Sequence, residues 1–208
     1  MNKLSLNSFL TLILIVFLTV GLVGMFTPFE KSFSELSSFN LVFTLFLVFY
    51  SFKNDLRSFL IPFITVYLIG FLFEAIGVNF GIVFGDYSYG KNLGLMAFNV
   101  PLLIGANWAV LTLGSYLLSS YIFKNKFTSV LVSAILLVLF DFIMEPIAIS
   151  LGFWSWKDDI IPFYNYFSWF IIGLITSYIC TFTVFKNKGI VQQVFIAQFL
   201  FFLILHLR

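Results

Sequence analysis

Seven apolar runs of membrane-crossing length occupy most of this chain, at about 9–27, 36–52, 58–78, 99–122, 127–151, 162–185 and 190–207. A helix needs about 17–25 mainly apolar residues to cross a hydrocarbon core of about 30 Å. The composition agrees: 61% of residues are hydrophobic and 10% are charged, where a soluble domain carries about 25% charge. The expected fold class is all-α, a polytopic membrane helical bundle of about seven transmembrane helices. Residues 1–208 are expected to form a single integral membrane domain. The second run is the weakest, because it begins with Ser37, Ser38 and Asn40. Six crossings is the alternative if that run or the last one only lies in the interface.

The first run has the look of a secretory leader, with Lys3 ahead of an apolar stretch from Phe9 to Phe26. It leaves through Met25-Phe26-Thr27-Pro28 with no small-x-small cleavage site, so it is expected to stay as a first helix. Orientation follows from the basic residues between the runs. With the N-terminus in the cytoplasm, the inner segments hold Lys3, Lys53, Arg57, Lys124, Lys126, Lys186 and Lys188 against the single acid Asp55. The outer segments hold Lys31, Lys91, Lys157 and Arg208 with Glu30, Glu35, Asp86, Asp158 and Asp159. The expected location is the cell (inner) membrane, multi-pass, with the N-terminus cytoplasmic.

Several function classes drop out. A net charge of +2 is too small for a nucleic-acid partner, and a lone Cys180 inside an apolar run supports neither a disulfide framework nor a thiolate metal site. The 31 phenylalanines have no period and read as lipid-facing and packing surface.

Three acids lie inside the runs: Glu74, Asp141 and Glu145. A charge at the centre of a spanning helix costs at least ~2.5–3.5 kcal/mol, which makes such a residue a functional hypothesis by default. Asp141 and Glu145 share one helix face by their i,i+4 spacing. In the orientation above, all three fall in the outer half of the membrane. Asn107 and Asn165, near the starts of the fourth and sixth runs, reach a similar depth. No intramembrane Lys or Arg is available to neutralise the acids, so at least one is expected to be protonated. A neutral carboxylic acid beside one that can ionise is a general acid–base pair.

An internal repeat ties these residues together. Glu74, Gly85, Tyr87 and Tyr89 correspond to Asp141, Gly152, Trp154 and Trp156 at an offset of 67, and Pro101 and Trp108 to Pro162 and Trp169 at an offset of 61. The third and fourth runs would then be related to the fifth and sixth by a two-fold axis along the membrane normal, as in other parallel repeats. Glu74 and Asp141 would face each other across it.

The stretch FEAIGVNFGIVFGDYSYGKNLG (residues 73–94) has glycines at 77, 81, 85, 90 and 94. That frequency favours turns over helix, and no Gly-Lys-Ser/Thr or preceding strand supports a nucleotide loop. It reads as a re-entrant or interfacial loop. Tyr87, Tyr89, Trp154, Trp156 and Trp169 fit either an interfacial aromatic belt or the walls of a site for a flat unsaturated ligand, whose developing cation ring faces attract. His206 has no partner in sequence and reads as a packed or interfacial residue more readily than as a ligand. A Mg²⁺ site of Asp141, Glu145 and Asp86 would serve diphosphate chemistry, but only Lys91 and Lys157 lie near for the phosphates.

The run Glu74-x-x-Gly77-x-x-x-Gly81-x-x-Phe84-Gly85-Asp86-Tyr87-x-Tyr89-Gly90-x-x-Leu93-Gly94 resembles the signature of the membrane carotenoid hydratases of the CruF type. So do Val100-Pro101 with Asn107-Trp108, Asp141-x-x-x-Glu145-Pro146, Gly152-x-Trp154-x-Trp156, and Pro162-x-x-Asn165 with Trp169. The resemblance covers about residues 70–170; the first two runs and the last carry no matching motif. It implies cofactor-free addition of water to the terminal (1',2') double bond of an acyclic carotenoid in the bilayer. Membrane lipids and other enzymes of that pathway would be its partners.

Our assignment of roles makes Asp141 or Glu74 the proton donor. Glu145 and Asp86 would hold the water, with Asn107 and Asn165 as hydrogen-bond orienters. Tyr87, Tyr89, Trp108, Trp154, Trp156 and Trp169 would line the substrate site. A carotenoid cyclase would begin with the same protonation, and a proton-coupled transporter would also need buried carboxylates. The transporter fits less well, because the acids gather at one depth instead of crossing the membrane.

Overall fold

The computed structural model describes residues 5–185 and 188–208. Each of the seven apolar runs folds as a helix: α1 (Leu6–Met25), α3 (Ser37–Ser51), α4 (Leu56–Phe80), α5 (Leu102–Ile122), α6 (Lys126–Ser150), α7 (Phe163–Cys180) and α8 (Val191–His206). A short α2 (Glu30–Glu35) joins the first two. The protein is an all-α membrane helical bundle. Among the described residues, five helices are long and apolar enough to cross a membrane: α1, α4, α5, α6 and α7. The apolar α3 and α8 have 15 and 16 residues and rise only roughly 22–24 Å against a core of about 30 Å. They are the two runs whose crossing the sequence leaves open.

Local chemistry sets the helix limits. The hydroxyl of Ser5 caps α1 by accepting from Ser8 N, and the side-chain oxygen of Asn125 caps α6 by accepting from Phe127 N and Thr128 N, each satisfying backbone donors that a first turn leaves open. α5 and α7 begin directly after Pro101 and Pro162, which hold extended backbone there.

α5 is the central element, buried along most of its length and packed against α3, α4, α6, α7 and α8. Hydroxyls hold it to its neighbours: Ser115 lies 2.8 Å from Ser133, which accepts from Ser177 at 2.8 Å, and Thr112 lies 3.3 Å from Thr176. In a bilayer, small residues and interhelical hydrogen bonds replace the hydrophobic drive that water gives soluble helices.

The two long connections carry the departures from helix that shape the site. β1 (Tyr87–Tyr89), after α4, pairs antiparallel with β4 (Trp154–Trp156), after α6. Residues 73–94 are therefore the end of α4 followed by a turn and a strand, where the sequence suggests one re-entrant or interfacial loop. The strand's partner is 67 residues away, so no local pattern announces it. A second small hairpin pairs β2 (Met96–Ala97) with β3 (Val100–Pro101) and delivers the chain to α5.

The pairing has the register that the repeat requires. Tyr87 meets Trp156, Tyr89 meets Trp154, and Ser88 meets Ser155. Each aromatic thus faces the counterpart of its neighbour, as a two-fold axis through Ser88 and Ser155 would produce. Gly85 (φ +128°) and Gly152 (φ +69°) turn the chain into the two strands with the positive φ that favours glycine. Trp108 and Trp169, the other counterparts, stack on each other at 4.0 Å between ring centres.

The strand pair, the ends of α4 and α6 and the starts of α5 and α7 share one end of the bundle, where Arg208 also bridges to Glu30 at 3.1 Å. The other end carries Lys53, Arg57, Lys124, Lys126 and Lys188. Lys3 and Lys186, which also enter the orientation argument, lie outside the described residues.

Candidate active site

Side chains alternate across a strand, so the outer residues of each strand point the same way. Tyr87 and Tyr89 of β1 both donate their hydroxyls to Oε2 of Glu74, the latter at 2.7 Å. Trp154 and Trp156 of β4 both donate Nε1–H to Oε2 of Glu145, at 3.0 and 2.8 Å. The middle residues, Ser88 and Ser155, face away and are exposed. The strand pair is thus a four-ring lid over two carboxylates, with Tyr87 5.0 Å from Trp156 and Tyr89 6.0 Å from Trp154 between ring centres.

From α5, Trp108 donates Nε1–H to Oε1 of Glu74 at 2.8 Å. Gly70, one turn before Glu74, lets that indole approach: a Cβ at Gly70 would lie 2.6 Å from the ring. Glu74 therefore has both oxygens occupied. Asp141 is 1% exposed, and its Oδ2 accepts from Asn165 Nδ2 at 2.7 Å. Its Oδ1 is buried and has no partner among the described residues. The Oε1 of Glu145 likewise receives no hydrogen bond there, since both indoles bind Oε2. Pro146 follows directly and withholds the N–H that would bond to the Phe142 carbonyl.

These groups line a cavity of about 50 Å³, room for water, which needs about 10–15 Å³ and polar partners. Its walls hold three acids and no Lys, Arg or His. The donors that face the acids are two phenols, three indoles and one amide. Burial, and then the carboxylate of Glu74, push the Tyr87 and Tyr89 phenols well above their ordinary range, so both remain donors at any physiological pH.

Every residue nominated from sequence lines this cavity except Asp86. Asp86 sits on the outside of the turn before β1 and pairs with Lys157 Nζ at 3.1 Å, with its side chain 57% exposed. Its backbone carbonyl accepts from Lys157 N at 2.9 Å. The position after Gly85 turns it out of the bundle, so it joins the two connections and does not reach the acids. Neither a water-holding role nor the Mg²⁺ set with Asp141 and Glu145 is available to it in this arrangement. His206 is exposed, 3.2 Å from the Ile143 carbonyl and beside Phe142.

Two further points depart from the sequence reading. The partner of Glu74 in the lid arrangement is Glu145, not Asp141, which lies one helical turn earlier. The cavity is also lined by Phe84, Ile104, Leu111 and Met144. They carry no chemical signal that would separate them from other apolar residues, although Phe84 lies within the signature run.

The family model described as carotenoid biosynthesis protein matches residues 36–207. The chain belongs to this carotenoid biosynthesis family. Bisanhydrobacterioruberin hydratase of Haloarcula japonica is 28% identical over 182 residues, which cover 78% of this chain and 61% of that relative. The chain thus spans about three fifths of the length of the curated relative it matches. No solved structure matches it. The family match takes in every residue around the cavity, from Glu74 to Trp169, together with α3 and α8.

Proposed function

We propose that this carotenoid biosynthesis protein is a cofactor-independent hydratase (hydro-lyase) that adds water to the terminal 1',2' double bond of an acyclic carotenoid end group. The product is a tertiary 1'-hydroxy carotenoid. The observation that carries the reading is the unequal hydrogen bonding of three buried acids around a cavity large enough for water.

Trp N–H groups can only donate, so an oxygen that receives one is not where a carboxylic proton sits. Glu74 receives three donors and Oε2 of Glu145 two, which suits both as carboxylates. Two oxygens receive no donor among the described residues, Oδ1 of Asp141 and Oε1 of Glu145; the former is the fully buried one, and it is the place for the proton. Asp141 protonates C2', the less substituted alkene carbon, and the cation forms at tertiary C1'. The carboxylate of Glu74 and the faces of Trp108, Trp154 and Trp169 stabilise that cation. Water then attacks C1' and passes its second proton to Oε1 of Glu145. Glu145 lies one turn from Asp141 on the same face, so a second water can return the proton to Asp141. The net change is one water across one double bond, with no electron transfer.

We further place the protein in the cell membrane with the lid end outward, because the shorter inner segments carry the larger share of Lys and Arg. The deciding experiment is expression in a host that makes an acyclic carotenoid such as lycopene, followed by chromatography and mass analysis of the pigments. A pigment heavier by one water is expected. An isomer of unchanged mass would point to a cyclase, and unaltered pigment with the protein present in the membrane would overturn the reading.

A further inference from the structure

A second, larger cavity of about 250 Å³ adjoins the acid chamber. Ile104, Asn107, Met144 and Trp154 line both. Its remaining walls come mainly from α1, α3 and α8, outside the signature blocks. We propose that this groove binds the polyene segment next to the reacting end group, a linear unsaturated hydrocarbon that enters sideways from the bilayer between α1 and α3. The proposal rests on the hydratase reading for the identity of the polyene, but its geometry stands apart from the chemistry.

Three observations support this occupant. The groove shares four wall residues with the acid chamber, so a chain lying in it brings one terminus up to the wall of the chamber that holds Asp141. Its outer rim is formed by Phe17, Val20 and Phe39, and Val20 and Phe39 are exposed on the surface that faces lipid. The acid chamber, at about 50 Å³, is far smaller than the groove at about 250 Å³, so the bulk of a long chain belongs in the groove. The threshold residue Met144 is unbranched and adapts readily to a chain passing it. A lipid-dissolved substrate reaches such a site without crossing water. A headgroup-bearing lipid is the poorer occupant, because no Lys, Arg or His lines the groove.

Gly21 of α1 lies on the groove wall, and a Cβ there would meet Asn40 Nδ2 at 3.7 Å and Phe201 at 3.9 Å, ordinary contacts. Asn40 and Phe201 line the groove as Gly21 does, so a larger side chain at Gly21 is directed towards the groove wall. The test compares wild type with Gly21→Phe and Ser37→Phe, full-length in lipid nanodiscs. Two substrates are used: a long acyclic carotenoid, and a short isoprenoid alkene with the same end group. Both variants should raise KM for the carotenoid about ten-fold with kcat unchanged, the pattern of lost uniform binding, and should convert the short alkene as wild type does. Carotenoid kinetics unaltered in both variants would overturn the tail site and leave the hydratase reading standing.

If wild type converts neither substrate, the hydratase reading fails. The groove is then decided by circular dichroism in the polyene absorption band, which an achiral polyene acquires only in a chiral site. A signal in wild type that Gly21→Phe abolishes supports the groove. No signal in wild type overturns it, whatever the variants do.

Discussion

At the scale of single residues, the chamber separates three acids of similar burial by what donates to them. Asp141 retains one amide donor and a bare oxygen, so Asp141→Asn keeps the shape and the Asn165 contact while removing the transferable proton. A positioned general acid contributes about 10²–10⁴-fold, and conversion by Asp141→Asn should fall by that much while the protein still inserts and melts normally. Asp86→Asn should do the opposite. It breaks an exposed ion pair worth at most about 1 kcal/mol, and pigment conversion should stay within about two-fold of wild type. Equal losses in the two variants would remove the distinction drawn between them. The phenols of Tyr87 and Tyr89 offer a separate readout. Their values are raised by burial and by Glu74, so the stability they confer is complete below the unfolded tyrosine value of about 10 and is lost as pH rises above it. The Tyr87→Phe/Tyr89→Phe double variant removes two titrating groups. Its melting temperature should therefore fall less steeply than that of wild type between pH 9 and pH 11, as followed by thermal melts in detergent.

At the scale of elements, helices and strands differ in how openly the sequence announces them. A run of apolar residues states its own helix, and all seven runs became one. The strands could not be read that way, because each has three residues and its partner is 67 positions distant. What the sequence did carry was the repeat, through Gly85, Tyr87 and Tyr89 against Gly152, Trp154 and Trp156. The repeat could not tell that Glu145 takes the place opposite Glu74, because the two halves differ by one helical turn and a fixed offset pairs Glu74 with Asp141. Asp86 was misleading for a related reason: an acid beside two site residues, Tyr87 and Tyr89, is indistinguishable from them until the turn at Gly85 is known. The register itself can be tested chemically. Ser88 and Ser155 are opposite, exposed, and have their hydroxyls 3.3 Å apart. Directly opposed strand residues have Cα atoms about 4.5–5.5 Å apart, within the range a disulfide spans. Ser88→Cys/Ser155→Cys should form an internal disulfide on mild oxidation, detected by mass after proteolysis. The native Cys180 is buried and should not compete. A variant that stays reduced would mean that the strands are not paired in this register.

At the scale of the molecule, the lid end and the opposite end differ in both chemistry and charge. The groove beside the chamber was not legible in α1, α3 and α8, since a hydrocarbon channel needs bulk and shape but no particular functional group. Charge was more informative. Five basic residues with described positions, Lys53, Arg57, Lys124, Lys126 and Lys188, lie at the end away from the lid. At the lid end, Lys157 and Arg208 are engaged with Asp86 and Glu30. Segments rich in Lys and Arg tend to be retained on the cytoplasmic side, and on that rule we propose that the lid faces outward. Single cysteines in a Cys180→Ala background can test this. A cysteine at Ser155 should react with a membrane-impermeant maleimide added to intact cells, and one at Lys124 only after permeabilisation, as judged by a mass shift on gels. The reverse pattern would place the lid in the cytoplasm. Because the proposed entry lies between α1 and α3, within the bilayer, the proposed route of the polyene is the same in either orientation. Orientation decides which aqueous side lies nearest the chamber, and therefore which side supplies the water that the proposed reaction consumes.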